Sequence, residues 1–403
     1  MITGQTVVCD GDGLPRRSGL HGMADSSRVA AMTDGPPFRA DHVGSLLRPP
    51  HVHTARARFA AGEIDAAQLR GVEDEAVTEA VRMQADIGLR TATDGEFRRA
   101  TWHMDFIYAI KGIRRVADEG AVVRFRNADG TIEWRPAGLH VDAPLAIDEP
   151  VFGADFAYLR SVVGEGQTPK LTIPSPSMVH YRGGAAAIDP AVYPDEDAFW
   201  EGLSTAYAAQ VRGVAALGCT YLQLDDTSLA YLNDPAQRAE LAAQGRDAEH
   251  QHERYIRQIN AALAGRPQGL TVTTHLCRGN FRSSWVAEGG YDFVAEALFG
   301  GLEVDGFFLE YDDARSGGFA PLRFVPPGKT VVLGLVTTKR PQLESKDELK
   351  RRVEEASKYV PVEQLALSPQ CGFSSTVEGN ALTRDDQIAK LALVVETAQE
   401  VWG

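Results

Sequence analysis

Three short segments in the second half of the chain carry side chains that commonly bind metal ions. His275 and Cys277 are separated by one residue in Thr-His-Leu-Cys. Glu310 ends an apolar run, and Cys371 lies in Ser-Pro-Gln-Cys-Gly. In a strand, residues i and i+2 point to the same side, so an imidazole and a thiolate can face one ion. Two thiolates, one imidazole and one carboxylate suit tetrahedral zinc. The alternative is structural, because buried cysteine is often a small core residue and His275 can be satisfied within the core.

A second set of polar residues also follows apolar runs. Ser45 comes after Val-Gly, Glu96 ends Asp-Gly-Glu, and Asp225 ends Leu-Gln-Leu-Asp. A hydroxyl with nearby backbone N–H groups can hold a carboxylate, and two carboxylates can hold an ammonium. The set therefore predicts a pocket for a zwitterionic amino acid. In the alternative interpretation, Asp225 and Asp226 cap the following helix, and Glu96 pairs with Arg98 or Arg99 at the surface.

The elements that must position these residues are short apolar runs alternating with amphipathic helical stretches. This alternation predicts parallel βαβ units. Eight such units favour an α/β fold of the (β/α)8 TIM-barrel type, in which the C-terminal strand ends converge on one mouth. An open doubly wound sheet is the competing fold, but no G-x-G-x-x-G follows an early strand. The predicted strands are residues 38–45, 91–96, 170–174, 220–226, 270–277, 306–312, 330–336 and 364–371.

Two segments differ from this pattern. Residues 122–135 alternate apolar and polar side chains around Asn-Ala-Asp-Gly, which predicts a β-hairpin. The hairpin lies in a long insertion after the second strand, about residues 104–165, that caps the site or forms an oligomer contact. Residues 1–37 are rich in Gly, Asp, Ser and Arg without apolar periodicity, which predicts a disordered leader before a catalytic barrel at 38–403.

Composition excludes several classes of protein. The chain has 403 residues, a formal charge of −14 and 44% apolar residues, enough for a sizeable core. It contains no run of about 18 apolar residues, so a membrane span is not expected. The acidic charge and the lack of a Lys/Arg run argue against nucleic-acid binding. Four cysteines are too few for a disulfide scaffold and favour a reducing, cytoplasmic compartment.

Taken together, the motifs resemble the cobalamin-independent methionine synthase family, specifically its catalytic C-terminal barrel, over roughly residues 38–400. The matching motifs are His-Val-Gly-Ser-Leu at 42–46, Asp-Gly-Glu at 94–96, Leu-Gln-Leu-Asp at 222–225, Thr-His-Leu-Cys at 274–277, Leu-Glu at 309–310 and Ser-Pro-Gln-Cys-Gly-Phe at 368–373. The resemblance implies a zinc-dependent S-methyltransferase that makes methionine from homocysteine, with 5-methyltetrahydrofolate or a related compound as methyl donor. It implies that zinc is bound by His275, Cys277, Glu310 and Cys371. It further implies that Ser45, Glu96 and Asp225 hold the amino-acid end of homocysteine.

The chain also departs from the family on the donor side. The family has a tryptophan just after the third strand, where residues 172–177 here contain no aromatic side chain. The family's histidine after the seventh strand is missing, and Lys339 lies near that position. The candidates for the acid that protonates the leaving group are therefore Lys339, His103 and Asp225.

Two further hypotheses remain open at this stage. One keeps the zinc-thiolate chemistry but changes the alkyl donor or the thiol, as in an epoxide-opening thiol transferase. The other is a barrel that holds zinc for structure only and acts as a binding protein. The expected partners are a small-molecule thiol, a methyl donor and, as a candidate, a second copy of the chain; neither nucleic acid nor a membrane is expected.

Overall fold

The computed structural model describes residues 35–117, 122–127, 130–135 and 137–403. The predicted leader, residues 1–37, therefore lies outside the described residues except for its last three. Within the described part, no helix combines the length and the apolar character needed to cross a membrane.

The described residues contain strands and helices in alternation along most of the chain. The strands are β1 (Thr91–Ala92), β2 (Lys111–Val116), β3 (Val123–Asn127), β4 (Gly130–Trp134), β5 (Gly138–Ala146), β6 (Thr168–Pro174), β7 (Tyr221–Asp226), β8 (Thr271–Leu276), β9 (Gly306–Glu310), β10 (Thr330–Val336) and β11 (Leu365–Pro369). The α-helices are α1 (Pro50–Ala60), α2 (Ala66–Asp86), α3 (Met104–Ala109), α4 (Gly153–Val162), α5 (Ser177–Gly183), α6 (Glu196–Ala216), α7 (Ser228–Tyr231), α8 (Pro235–Ala243), α9 (Gln251–Leu263), α10 (Ala295–Gly301), α11 (Lys346–Ala356) and α12 (Arg384–Trp402).

Seven of these strands form one curled sheet with the order β1-β6-β7-β8-β9-β10-β11, and every neighbouring pair is parallel. The α/β class predicted from the alternating pattern is thereby confirmed. All residues of β7, β9 and β11 are buried, as expected for a parallel sheet covered on both faces. Because the strands are parallel, their C-terminal ends lie along the same edge of the sheet.

The segment predicted as the first strand, residues 38–45, is irregular apart from one parallel bridge between Ala40 and Leu367. Side chains from the sheet bind its carbonyl groups in place of a strand ladder. The Nζ of Lys170 donates to the carbonyl of His42 at 2.7 Å, and Gln223 donates to the carbonyl of Val43 at 2.7 Å. The segment still lies between the two edges of the sheet, since it bonds β11 at one end and the loop after β1 at the other.

The predicted second strand is also shorter than expected. Only Thr91 and Ala92 pair with β6, and the chain then turns at Gly95 and Glu96, which both adopt positive φ angles of 65° and 58°. The turn is stabilised by the side chain of Asp94, which accepts a hydrogen bond from the N–H of Glu96 at 2.9 Å. Positive φ is strained for a residue with a side chain, which marks Glu96 as a position held by its surroundings.

The long excursion between β1 and β6 contains two antiparallel strand pairs. β3 pairs with β4 from Val123 opposite Trp134 to Asn127 opposite Gly130, within the segment where the sequence predicts a hairpin. β2 pairs with β5, a pairing that the sequence analysis did not anticipate. β3 also bonds the loop after β8, because the backbones of Arg126 and Trp285 exchange two hydrogen bonds of 2.6 and 2.9 Å.

Three long helices begin directly after residues that cap their N-termini. Asp65 caps α2 with a reciprocal capping box, Asp195 accepts from the third N–H of α6, and Thr383 caps α12 with a second capping box.

Candidate active site and metal centre

The four candidate metal ligands come together at the C-terminal edge of the sheet. His275 lies near the end of β8 and Cys277 just beyond it, Glu310 ends β9, and Cys371 follows β11. One donor atom of each lies within 4.8 Å of the other three, and all four residues are buried. The residues are 96 positions apart at the extremes, so the parallel sheet is what brings them to one point.

The surroundings of this cluster leave several donor atoms unpaired. Oε1 of Glu310 accepts a hydrogen bond from the N–H of Arg278 at 2.9 Å. Its Oε2 and both ring nitrogens of His275 are buried without a hydrogen-bond partner among the described residues. Such atoms are costly inside a protein unless something binds them. The donor set and these unpaired atoms together form a candidate metal-binding group.

The two thiols of the cluster influence each other directly. Their sulfur atoms lie 3.4 Å apart, and the hydrogen bond between them lowers the pKa of Cys371 well below its usual range while raising that of Cys277. Burial raises the pKa of Glu310, and the positive charge of Lys339 opposes that shift. A divalent cation would favour the ionised form of all three groups.

The residues predicted to hold an amino acid lie in the same cleft as this cluster. Ser45, Glu96 and Asp225 line one cleft together with His275 and both cysteines of the cluster. Two sets of residues that were predicted from separate motifs are therefore neighbours in space, and a molecule bound by one set can reach the other.

Ser45 is placed by close approaches that only glycine allows. A Cβ on Gly372 would overlap the Oγ of Ser45, and a Cβ on Gly44 would lie 2.7 Å from a methyl group of Thr172. Gly44 also has a φ of 147°, which residues with a side chain rarely adopt. The Oγ of Ser45 accepts a hydrogen bond from the N–H of Ser374 at 3.3 Å. The serine is thus held against the loop that follows Cys371.

Glu96 carries a buried carboxylate with one bound and one unbound oxygen. Oε1 accepts from the hydroxyl of Thr172 at 2.8 Å and lies 3.6 Å from Arg99, whereas Oε2 has no hydrogen-bond partner among the described residues. Burial raises the pKa of Glu96, and Arg99 counteracts part of that shift. The Glu96–Arg99 ion pair is buried, whereas the alternative interpretation placed it at the surface.

Asp225 and its neighbour Asp226 have different surroundings. Asp226 accepts hydrogen bonds from the hydroxyl of Ser228 at 2.9 Å and from the N–H of Leu229 at 2.7 Å, so it caps the helix start. Asp225 instead faces the cleft and accepts from Gln223 at 2.6 Å. Burial raises the pKa of Asp225 to about 7, with His275 opposing the shift. The capping interpretation therefore holds for Asp226 and not for Asp225.

The other two candidate acids are placed differently from each other. His103 lines the cleft, is 1% exposed, and has no hydrogen-bond partner on either ring nitrogen among the described residues. Burial and then the charge of Arg182 lower its pKa well below the usual range, so its ring is neutral at pH 7. Lys339 is bound to Asp312 at 3.2 Å and is not among the described residues that line the cleft.

Aromatic rings from several loops form the outer wall of the cleft. Trp102 stacks on His103 with ring centroids 4.3 Å apart, and Phe125 and Trp134 come from the β3–β4 pair. Phe281, from the loop after β8, lies 5.1 Å from Phe125. Three further lining residues carry no signal in the sequence, namely Arg182, Tyr231 and Asn280. Each lies in a loop or short helix without a motif of its own.

Several known proteins are similar to this chain. The sequence profile described as "Cobalamin-independent synthase, Catalytic domain" matches residues 38–400. YxjG of Bacillus subtilis (strain 168), described as uncharacterized, is 46% identical over 369 residues, covering 91% of this chain and 95% of that protein. A crystal structure from Listeria monocytogenes, provisionally assigned as a vitamin-B12 independent methionine synthase, matches with a TM-score of 0.71 and 36% identity. The match covers 91% of this chain and 98% of that one.

A relative with a named activity is more distant. The 5-methyltetrahydropteroyltriglutamate–homocysteine methyltransferase of Synechococcus sp. (strain JA-2-3B'a(2-13)) is 21% identical over 350 residues, which cover 86% of this chain and 42% of that protein. The chain thus spans less than half the length of that relative. The family match confirms the resemblance drawn from the motifs and, with it, the predicted enzyme class, a methyltransferase. From residue 38 to residue 400, the chain belongs to the cobalamin-independent methionine synthase family.

Proposed function

We propose that this chain transfers a methyl group to the sulfur of homocysteine and so makes methionine. The observation that carries the proposal is the shared cleft, in which Ser45, Glu96 and Asp225 lie beside the candidate metal group. Homocysteine has a thiol at one end and an amino-acid group at the other, and the cleft offers one set of residues for each.

The thiol end of the substrate is assigned to His275, Cys277, Glu310 and Cys371, with zinc as the metal. Two sulfur, one nitrogen and one oxygen donor are the ligand types that zinc prefers, and four of them suit its tetrahedral geometry. Bound there, zinc would lower the pKa of a substrate thiol, which is ordinarily about 8.5, so that the reactive thiolate exists at neutral pH.

The amino-acid end is assigned to the other three residues. The carboxylates of Glu96 and Asp225 bind the ammonium group, and the unpaired Oε2 of Glu96 is available for it. Ser45 and the backbone beside it bind the carboxylate group. This arrangement distinguishes an amino-acid thiol from a thiol that lacks an ammonium group, because Arg99 alone would then balance the two buried carboxylates.

In the reaction, the sulfur forms a bond to the methyl carbon while the bond between that carbon and the donor breaks. The electron pair of the broken bond leaves with the donor, which then takes up a proton. Asp225 is the acid candidate that we favour, because its pKa of about 7 in the cleft without substrate lets it supply the proton that pairing with the ammonium group displaces. The neutral ring of His103 donates a hydrogen bond to the methyl donor. Lys339 is ion-paired with Asp312, and its positive charge favours the ionised form of Glu310.

The architecture that we propose for the site is a closed (β/α)8 barrel spanning residues 38–403. The irregular segment at residues 38–45 takes the place of the remaining barrel strand, since it bonds β11 at one end and Thr93, just after β1, at the other. The excursion at residues 104–165 is an insertion whose β3–β4 pair covers the mouth. Its contribution of Phe125 and Trp134 compensates for the absent aromatic residue after β6.

A second candidate function keeps the homocysteine half and changes the donor. Residues 172–177 carry no aromatic ring, and the rings that line the cleft come from other elements, so the donor cavity has its own shape. The donor is then a methylated or alkylated compound other than 5-methyltetrahydrofolate. Zinc binding and homocysteine binding are the same in both candidates.

The test is methionine formation by the purified protein, measured by mass spectrometry. Homocysteine is combined separately with 5-methyltetrahydrofolate, methylcobalamin and small methylated thiols, and the protein is used zinc-loaded and after chelation. We expect methionine from at least one donor, with loss of product and of bound zinc in Cys371→Ser.

Cys219→Ser is the matched control, because Cys219 is a buried free cysteine whose thiol contacts the carbonyl of Tyr221 away from the cluster. It is expected to keep both zinc and product. Stoichiometric zinc in Cys371→Ser would contradict the assignment of the metal ligands. No methionine from any donor would contradict the proposed methyl transfer to homocysteine.

A further inference from the structure

Arg278 directly follows the candidate metal ligand Cys277, and its side chain is completely buried. Its exposed fraction is 0%, which is uncommon for a charged side chain. Nε donates to the carbonyl of Gly289, and Nη1 donates to the hydroxyl of Tyr291 and to the backbone carbonyl of Glu310, each at 3.0 Å. None of these accepting groups is charged, so within the described residues the guanidinium has no counter-ion among its hydrogen-bond partners.

Arg278 and Tyr291 together form a clamp around Glu310. The backbone N–H of Arg278 donates to Oε1 of Glu310 at 2.9 Å, and its side chain donates to the backbone carbonyl of the same residue. The N–H of Glu310 donates to the hydroxyl of Tyr291 at 2.9 Å. The clamp thus binds the N–H, the carbonyl and one carboxylate oxygen of Glu310, and the oxygen that it leaves unpaired is Oε2.

The clamp lies where the pairing of the two strands stops. The ladder between β8 and β9 ends with Leu276 opposite Leu309, one residue before Cys277 and Glu310. Backbone pairing of these strands therefore does not reach the two candidate ligands. The hydroxyl of Tyr291 connects the strands at this point, since it donates to the carbonyl of Leu276 at 3.3 Å and accepts from the N–H of Glu310.

The clamp also places a positive charge beside the candidate metal group. A divalent cation held by two thiolates, one carboxylate and a neutral imidazole leaves one negative charge on the group. A buried charge is costly unless a charge of opposite sign lies close to it. A guanidinium stays protonated in proteins, and the one of Arg278 is held further by the ring of Tyr291, 4.2 Å below it.

We propose that Arg278 is a positioning residue for the candidate metal group. It presents Glu310 to the metal through Oε2 alone, with Oε1 held by the protein, and its charge offsets the negative charge of the loaded group. The inference rests on the proposed function, because it takes Glu310, His275 and the two cysteines as zinc ligands. Removal of a side chain that orients a metal ligand typically costs about 10–100-fold in metal affinity.

The experiment measures metal binding directly, without turnover. Zinc is titrated in competition with a chromophoric chelator into the unmodified chain and into Arg278→Met, which keeps an unbranched side chain and removes its charge and its donors. We expect the affinity of Arg278→Met to be roughly 10- to 100-fold weaker. The visible absorption bands of cobalt(II) bound in place of zinc are expected to change as well, because Glu310 is no longer held by one oxygen. A purely structural role would lower stability without changing these bands.

Tyr291→Phe tests the same clamp with little change in shape, and it provides the answer if Arg278→Met does not fold. It removes the hydroxyl that binds Glu310 and is expected to weaken zinc binding by roughly tenfold. Tyr255→Phe is the matched control. Tyr255 is as buried as Tyr291, and its hydroxyl also accepts a hydrogen bond from an arginine, Arg246, at 2.9 Å, but it lies outside the candidate metal group. It is expected to keep the zinc affinity and the cobalt spectrum of the unmodified chain.

The two ways in which the inference can fail are separated by the unmodified chain. Zinc affinities and cobalt spectra that match those of Tyr255→Phe in every folded clamp variant overturn the inference while the metal assignment stands. Absence of zinc binding by the unmodified chain contradicts the metal assignment in the proposed function, and the inference with it.

Discussion

The replacement Asp225→Asn tests the assignment of the ammonium site with little change in shape. Asp225 is 5% exposed, and one of its oxygens accepts a hydrogen bond from Gln223 at 2.6 Å, which the amide oxygen of asparagine can also accept. The other carboxylate oxygen becomes an NH2 group. The variant therefore keeps its neighbours and loses the negative charge that faces the cleft.

The expected loss is that of one charge-assisted hydrogen bond in a buried place. Such a bond contributes about 1.5–3 kcal/mol, which corresponds to a roughly 10- to 150-fold weaker affinity for homocysteine. Zinc content is expected to stay unchanged, since Asp225 is not among the four residues of the candidate metal group. Calorimetric titration of zinc-loaded protein with homocysteine gives the affinity, and elemental analysis gives the metal.

A comparison ligand without the ammonium group makes the result specific. The affinity for 4-mercaptobutyrate, which keeps the thiol and the carboxylate, should not fall in Asp225→Asn. Equal losses for both ligands would mean that the substitution disturbs the cleft as a whole. Unchanged homocysteine affinity would refute the ammonium assignment.

Three further predictions follow from other contacts. Gly372→Ala would force a methyl group onto Ser45 and should weaken homocysteine binding at least tenfold in a calorimetric titration, whereas Gly318→Ala, with open space around it, should not. Glu96→Gln should weaken homocysteine binding by roughly tenfold at unchanged zinc content, because it removes the second carboxylate. Burial lowers the pKa of His42 to about 4 from 6.5, so the unfolded chain binds a proton that the folded chain does not. Acidification from pH 7 to pH 5 should then lower the free energy of unfolding by about 2 kcal/mol through this group. In denaturant titrations of His42→Gln, this contribution to the pH dependence should be absent.

The candidate metal group could be predicted from sequence because its geometry depends on few assumptions. His275, Cys277, Glu310 and Cys371 each lie at or just beyond the end of a predicted parallel strand. The ends of such strands meet at one edge whatever the details of the register. An error of one or two residues in a strand boundary would not have separated them.

The walls of the cleft could not be predicted in the same way. Phe125 reaches it because β3 bonds the loop after β8 through Arg126 and Trp285, a contact between segments about 160 residues apart. Alternation predicts that β3 has two faces but does not say what either face meets. The irregular course of residues 38–45 could not be predicted either. Side chains distant in sequence, such as Lys170, bind its carbonyl groups where a neighbouring strand would otherwise do so.

The placement of the candidate acids also depends on contacts between distant segments. Local sequence placed both His103 and Lys339 near the site, and only the three-dimensional structure shows that Lys339 is bound to Asp312. Ion pairs between loops depend on the relative placement of whole elements, which no local pattern encodes.

The most direct test of the central claim is X-ray absorption spectroscopy at the zinc edge, with and without homocysteine. We expect one zinc per chain, with two sulfur ligands from Cys277 and Cys371 in the free protein and a third sulfur when homocysteine is bound. A spectrum that stays at two sulfur ligands with saturating homocysteine would show that the substrate thiol does not reach the metal, and it would contradict the proposed reaction.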